Sequence, residues 1–150
     1  MGDMEHHFSV GRAYLAVAIA WVTAQTIKVT KNVLARRRFN VRWILDTGGM
    51  PSSHSSGTTA VATVVGLYAG FDSILFLFAL VFALVTMFDA ASVRRSVGRQ
   101  AALMNRMIDE IYAQGRFSEQ HLKEFLGHTP VEVLMGALLG ITISFLVCMW

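Results

Sequence analysis

The last stretch of the chain, Gly127 to Trp150, reads GHTPVEVLMGALLGITISFLVCMW, and its pattern decides the fold class. From Val131 to Trp150 the only charged residue is Glu132. A helix that crosses a bilayer needs about 20 predominantly apolar residues, within a range of about 17–25. This stretch meets that length. Its start is also written locally. Thr129 suits the N-cap, Pro130 the first helical position and Glu132 the third, which together make a capping box.

Three more apolar segments precede it, at about Phe8 to Ile27, Ser55 to Ala69 and Ser73 to Phe88. The first is long enough to span. The second and third are short and separated only by the turn around Asp72. They read as a tight helical hairpin that need not cross the whole bilayer. Trp21, Trp43 and Trp150 are candidate interface anchors. Composition agrees: 54% of the 150 residues are hydrophobic and only 15% charged, against roughly 25% charged in an ordinary soluble domain. Mean hydropathy is +0.50. The expected fold is all-α, an integral membrane helical bundle forming one domain over residues 1–150. It has about four membrane-embedded helices, with amphipathic helices in the basic loops.

The loops carry the charge. Lys28 to Arg42 holds Lys28, Lys31, Arg36, Arg37, Arg38 and Arg42, and Arg94 to Lys123 holds Arg94, Arg95, Arg99, Arg106, Arg116 and Lys123. Of the 13 basic residues only Arg12 lies elsewhere. With four spans both loops fall on one side, and the positive-inside rule makes that side cytoplasmic, with both termini outside. Met1 to His7 has acidic residues but no Lys or Arg, so no secretory signal is read there. An amphipathic insertion occupies about 99–126. Leu103, Met104, Met107, Ile108, Ile111 and Tyr112 recur at helical spacing, opposite Asn105, Arg106, Asp109 and Glu110. Such a helix packs on the bundle or lies at the interface. Ser118 suits the cap of a further short helix. Gly66 and Gly70, and Gly136 and Gly140, are spaced for close helix packing, read as internal packing ahead of a dimer seam.

Two short motifs carry chemistry. Pro51-Ser52-Ser53-His54 ends one element and opens a helix, whose free N–H groups favour an anion. A histidine in that first turn can protonate a leaving oxygen near neutral pH. His128 stands just before the last helix. Glu132 is close enough to accept from one of its ring nitrogens, leaving the other to attack phosphorus. The cap and this orienting role compete for the same carboxylate. Lys28, Lys31, Arg36, Arg38, Arg94 and Arg95 can neutralise phosphate oxygens. Phosphoryl transfer depends mostly on positioning and charge neutralisation, so this set needs no metal or other cofactor.

These residues resemble the type 2 phosphatidic acid phosphatase and vanadium haloperoxidase superfamily, in particular its divergent branch of bacterial and plastid membrane proteins. The superfamily's Pro-Ser-Gly-His motif reads Pro51-Ser52-Ser53-His54 here. Its motif of His, three residues and Asp reads His128-Thr129-Pro130-Val131-Glu132. Its Lys, six residues, Arg-Pro motif is matched in spacing by Lys31 to Arg38, with Phe39 in place of proline, and more loosely by Lys28 with Arg36. The arginine six residues before the motif histidine is absent: that position is Leu122, and Arg94 and Arg95 lie over thirty residues upstream. The strings Thr47 to Ser55, Asp89 to Ala101 and Leu126 to Gly140 resemble the divergent branch specifically.

The resemblance implies His128 as nucleophile, Glu132 as its orienting group and His54 as acid. It implies Lys28 or Lys31, Arg36 or Arg38, Ser52, Ser53 and Arg94 or Arg95 as phosphate ligands. The expected activity is a membrane phosphatase acting on a lipid phosphate or diphosphate through a phosphohistidine. It would work from the cytoplasmic face of a bacterial inner membrane or a plastid membrane. The alternative is a non-catalytic lipid-phosphate binder, such as a transport component or scaffold. Expected partners are the lipid phosphate and membrane lipids, with no nucleic acid; a homo-oligomer is left open.

Overall fold

The computed structural model describes residues 9–44, 49–112 and 127–150, with no strand among them. The elements are α1 (Val10–Arg36), a 3-10 turn (Val41–Ile44), α2 (Ser53–Ala69), α3 (Ile74–Phe88), a π turn (Asp89–Val93), α4 (Arg94–Tyr112) and α5 (Pro130–Met149). The expected cap of a helix at Ser118 lies outside the described residues. The chain is an all-α membrane bundle, and among the described residues three helical stretches are long and apolar enough to cross a bilayer: Val10–Arg36, Ile74–Asp109 and Pro130–Met149.

α2 is not one of these three. It is the axis of the bundle, packed against α1, α3 and α5. Its buried face is small or hydroxylic, with Ser55, Ser56, Thr59, Ala60, Thr63 and Gly66 enclosed. Between helices in lipid there is little hydrophobic gain, so close backbone approach and hydrogen bonds supply the contact. Both are present. Ser56 Oγ donates to the Ala20 carbonyl on α1 (3.0 Å), Thr59 Oγ1 to the Ala137 carbonyl on α5 (3.1 Å) and Ser144 Oγ to the Ala60 carbonyl (3.3 Å). On α1 the facing stripe is Ala16, Ala20 and Ala24, all fully buried. The large apolar side chains, such as Leu15, Phe78, Phe82 and Leu146, point outward. That arrangement suits a hydrocarbon solvent.

The α2–α5 contact is tightest. A Cβ added at Gly136 would overlap the Ser52 carbonyl, and one at Gly140 would overlap the Ser56 carbonyl and the Thr59 hydroxyl. This glycine pair is used within the molecule. Gly66 differs, since the nearest atoms an added Cβ would meet there belong to the ring of Phe71. Gly70 ends α2 with φ +91°, outside the range of ordinary side chains.

α1 extends well beyond the apolar segment read from sequence, reaching Arg36 before Arg37 stops it in a left-handed conformation. The basic insertion joins the bundle directly. α4 does not begin as a separate surface helix but continues α3 through the π turn. No Gly or Pro interrupts the chain from Ile74 to Val97, so nothing breaks the helix there. Leu103, Met104 and Met107 are exposed, whereas Asn105, read on the polar face, is buried.

Gly140→Ala is expected to lower the thermal midpoint in detergent by an amount equivalent to about 1–3 kcal/mol, because the backbone of α2 must move. Gly66→Ala is expected to stay within about 1 kcal/mol of wild type, since helix propensity gained offsets a ring shift. Equal effects at the two sites would contradict the packing described.

Candidate functional site

The end of α1, the start of α2, the π turn and the start of α5 meet at one end of the bundle. Three contacts hold them together. The Ser52 N–H donates to the Glu132 carbonyl (3.0 Å), the His128 N–H donates to the Ala90 carbonyl in the π turn (3.1 Å), and Lys28 Nζ donates to Ser53 Oγ (3.4 Å). Lys28 lies 18 residues after Val10, about 27 Å along α1. Against a hydrocarbon core of about 30 Å, the site falls near the membrane edge.

Glu132 resolves the competition posed by its spacing, because one oxygen serves both partners. Its Oε2 accepts from the Thr129 N–H (3.2 Å) while Thr129 Oγ1 accepts from the Glu132 N–H (3.3 Å), completing the capping box. The same Oε2 lies 3.1 Å from His128 Nδ1. An ionised carboxylate only accepts, so Nδ1 carries the proton and donates. In a neutral ring that leaves the lone pair on Nε2. His128 is 2% exposed. The ring of His54 faces it with 6.4 Å between centroids and 59° between planes. His54 lies in the first turn of α2, whose cap is Ser52: its Oγ accepts from the Ser55 N–H (3.3 Å). The N–H groups of Ser53 and His54 are among those that helix geometry leaves without an intrahelical acceptor.

The cations separate into groups. Lys28 is 1% exposed and points at Ser53, so it is the lysine that the fold brings to the histidine pair. Lys31 is exposed and lines an apolar cavity of about 270 Å³ with Pro51, Met135 and Leu138. Arg36 and Arg38 are exposed and line a different cleft, with Trp43. Arg94 and Arg95 open α4 directly after the π turn that holds His128; their side chains lie outside the described part of the structure. The hydrogen bond from His128 to Ala90 shows how the long insertion returns. It closes a sequence gap of 38 residues onto one backbone contact.

Two participants carried little or no signal in the sequence, Gln25 and the Ala90 carbonyl. Gln25 is buried in α1, where its Oε1 accepts from Lys28 Nζ (3.2 Å) and its Nε2 donates to the Trp43 carbonyl (3.3 Å). A polar residue inside an apolar span, three before a lysine and so on its face, was the available clue. The Ala90 carbonyl had no signal, since a backbone acceptor is silent in sequence. Ser55 has a fully buried hydroxyl with no hydrogen-bond partner among the described residues. No cluster of three or more His, Cys, Asp or Glu stands together among them to hold a metal. A larger cavity, about 690 Å³, is an apolar groove at the opposite end, between Tyr14 and Tyr68. None of its described lining residues is charged, so it does not compete as a site for an anion.

A membrane helical bundle with a His–Glu pair, a second histidine and a buried lysine at one rim defines the class. The model of the divergent PAP2 family matches residues 11–143, and the chain belongs to that family. The uncharacterized membrane protein YuiD of Bacillus subtilis (strain 168) is 40% identical over 141 residues, covering 87% of this chain and 89% of the relative. No solved structure matches.

Glu132→Gln is expected to leave thermal stability within about 0.5 kcal/mol of wild type, since Gln also completes a capping box. Glu132→Ala is expected to cost roughly 0.3–1.5 kcal/mol. A loss with Gln as large as with Ala would mean that the charge itself holds this end of α5.

Proposed function

We propose that the protein is a membrane phosphatase that hydrolyses a lipid phosphate or diphosphate through a phosphohistidine on His128. The observation that carries this reading is the shared Glu132 oxygen. It fixes His128 with Nδ1–H engaged, so that the basic Nε2 is the nitrogen available to attack phosphorus. His54, on the facing helix start, donates a proton to the leaving oxygen, and the P–O bond to that oxygen breaks as the N–P bond forms. Lys28, Ser53 and the first N–H groups of α2 neutralise the nonbridging oxygens. Water then attacks the phosphohistidine and releases inorganic phosphate, with His54 returning as base. The substrate class is a polyprenyl or phosphatidate-type lipid, whose headgroup would lie at the depth of Lys28. The basic loops favour a site on the cytoplasmic side of a bacterial inner membrane or a plastid membrane.

Purified protein in detergent, given a panel of lipid phosphates and diphosphates, is expected to release phosphate and to be blocked by vanadate. His128→Ala is expected to abolish release. His54→Ala is expected to slow it by roughly 10²–10⁴-fold, and less so with an aryl phosphate, whose leaving group needs no proton. Glu132→Gln, with its cap intact, is expected to lower turnover by about 10²-fold or more. Tight binding of these lipids with no release from any of them would identify a non-catalytic lipid-phosphate binder instead.

A further inference from the structure

A second cluster of cations stands apart from the histidine pair. Arg36, Arg38, Phe39, Asn40 and Trp43 line a cleft of about 450 Å³. The Arg36 guanidinium lies over the Trp43 ring, 5.6 Å from its centroid. Cation–π stacking of this kind holds a guanidinium in one orientation while its N–H edge stays open to an acceptor. Between the two arginines, Arg37 adopts φ 50°. Glycine or asparagine normally takes this left-handed helix stop. Here it turns the chain so that Arg36, from the last turn of α1, and Arg38, beyond it, line the same cleft. None of the lining residues described is acidic. Arg36 lies eight residues beyond Lys28, about 12 Å further along α1. That distance carries it from the hydrocarbon edge to headgroup depth.

We propose that this cleft is a second anion site, for the phosphodiester of an anionic membrane lipid, separate from the site at His128. The surroundings favour a lipid over a free anion. Leu34 (73% exposed), Phe39 (61%) and Val41 (67%) flank the arginines. Exposed apolar side chains beside cations match the boundary between acyl chains and headgroups. The arginine pair supplies planar donors for the phosphodiester oxygens. The cleft is also tied to the histidine pair. Trp43 supplies its ring to Arg36 and its carbonyl to Gln25, and Gln25 accepts from Lys28. This inference does not rest on hydrolysis at His128.

The test is native mass spectrometry of the full chain released from nanodiscs of phosphatidylcholine with and without phosphatidylglycerol. Wild type is expected to retain phosphatidylglycerol in preference to phosphatidylcholine. A hydrogen bond from a charged donor is worth roughly ten-fold or more, so Arg36→Gln with Arg38→Gln is expected to weaken retention roughly 100-fold. Arg36→Lys, which keeps the charge but loses the planar stack, is expected to fall between. Arg99→Gln with Arg106→Gln removes two exposed charges elsewhere and is expected to weaken retention clearly less, through surface attraction alone, while His128→Ala is expected to leave it unchanged. An equal loss in the Arg99 and Arg106 pair would reduce the site to diffuse surface attraction. Loss in His128→Ala would place the lipid at the histidine pair. Displacement by inorganic phosphate at equal concentration would make the ligand a free anion. Each of these three outcomes overturns the proposal.

Discussion

The structure depends on how closely α2 and α5 approach each other. Gly136 and Gly140 present bare backbone to the Ser52 and Ser56 carbonyls, and no side chain fits between them. In lipid such an approach is stabilised by dispersion contacts and by hydroxyl-to-carbonyl hydrogen bonds across the seam, not by expulsion of water. The seam also sets the register of the site. With α5 pressed on the start of α2, the Ser52 N–H reaches the Glu132 carbonyl. His54, two residues beyond Ser52, then comes to face His128, four residues before Glu132. One backbone contact thus couples the two histidine motifs.

The same economy recurs around Glu132. Its carbonyl holds α2, one carboxylate oxygen closes the cap of α5, and that oxygen also orients His128. A residue so placed makes helix start and ring orientation a single structural event. Glutamate suits this double duty, since its side chain sits at the third helical position, where a capping box uses Glu or Gln. The π turn has a comparable role on the other side. It lets α3 continue into α4 while its Ala90 carbonyl accepts from the His128 N–H. Inserted π turns often mark functional positions in helices.

The bundle is apolar outside and small or hydroxylic inside, the reverse of a soluble core. α2 is the extreme case, with buried serines and threonines along most of its length. Its central position explains why it reads as a weak apolar segment. A helix enclosed by α1, α3 and α5 meets little lipid, so its sequence answers to its neighbours instead of to the bilayer.

Much of this was legible in the chain itself. The long apolar runs determined the membrane helices, because transfer to hydrocarbon depends on local composition and length. Thr129, Pro130 and Glu132 determined where α5 starts, because capping is settled within four residues. The motifs around His54 and His128 were visible for the same reason. What local chemistry could not decide was which of several like residues meet. Lys28 and Lys31 are three apart on one helix, yet only the packing of α1 against α2 buries Lys28 beside Ser53 and leaves Lys31 outside. Gln25 gained its place from the return of the turn that carries Trp43. Ala90 met His128 through a backbone pair that no side chain advertises. Each of these depends on contacts between segments distant in sequence, and those are set by the three-dimensional packing alone.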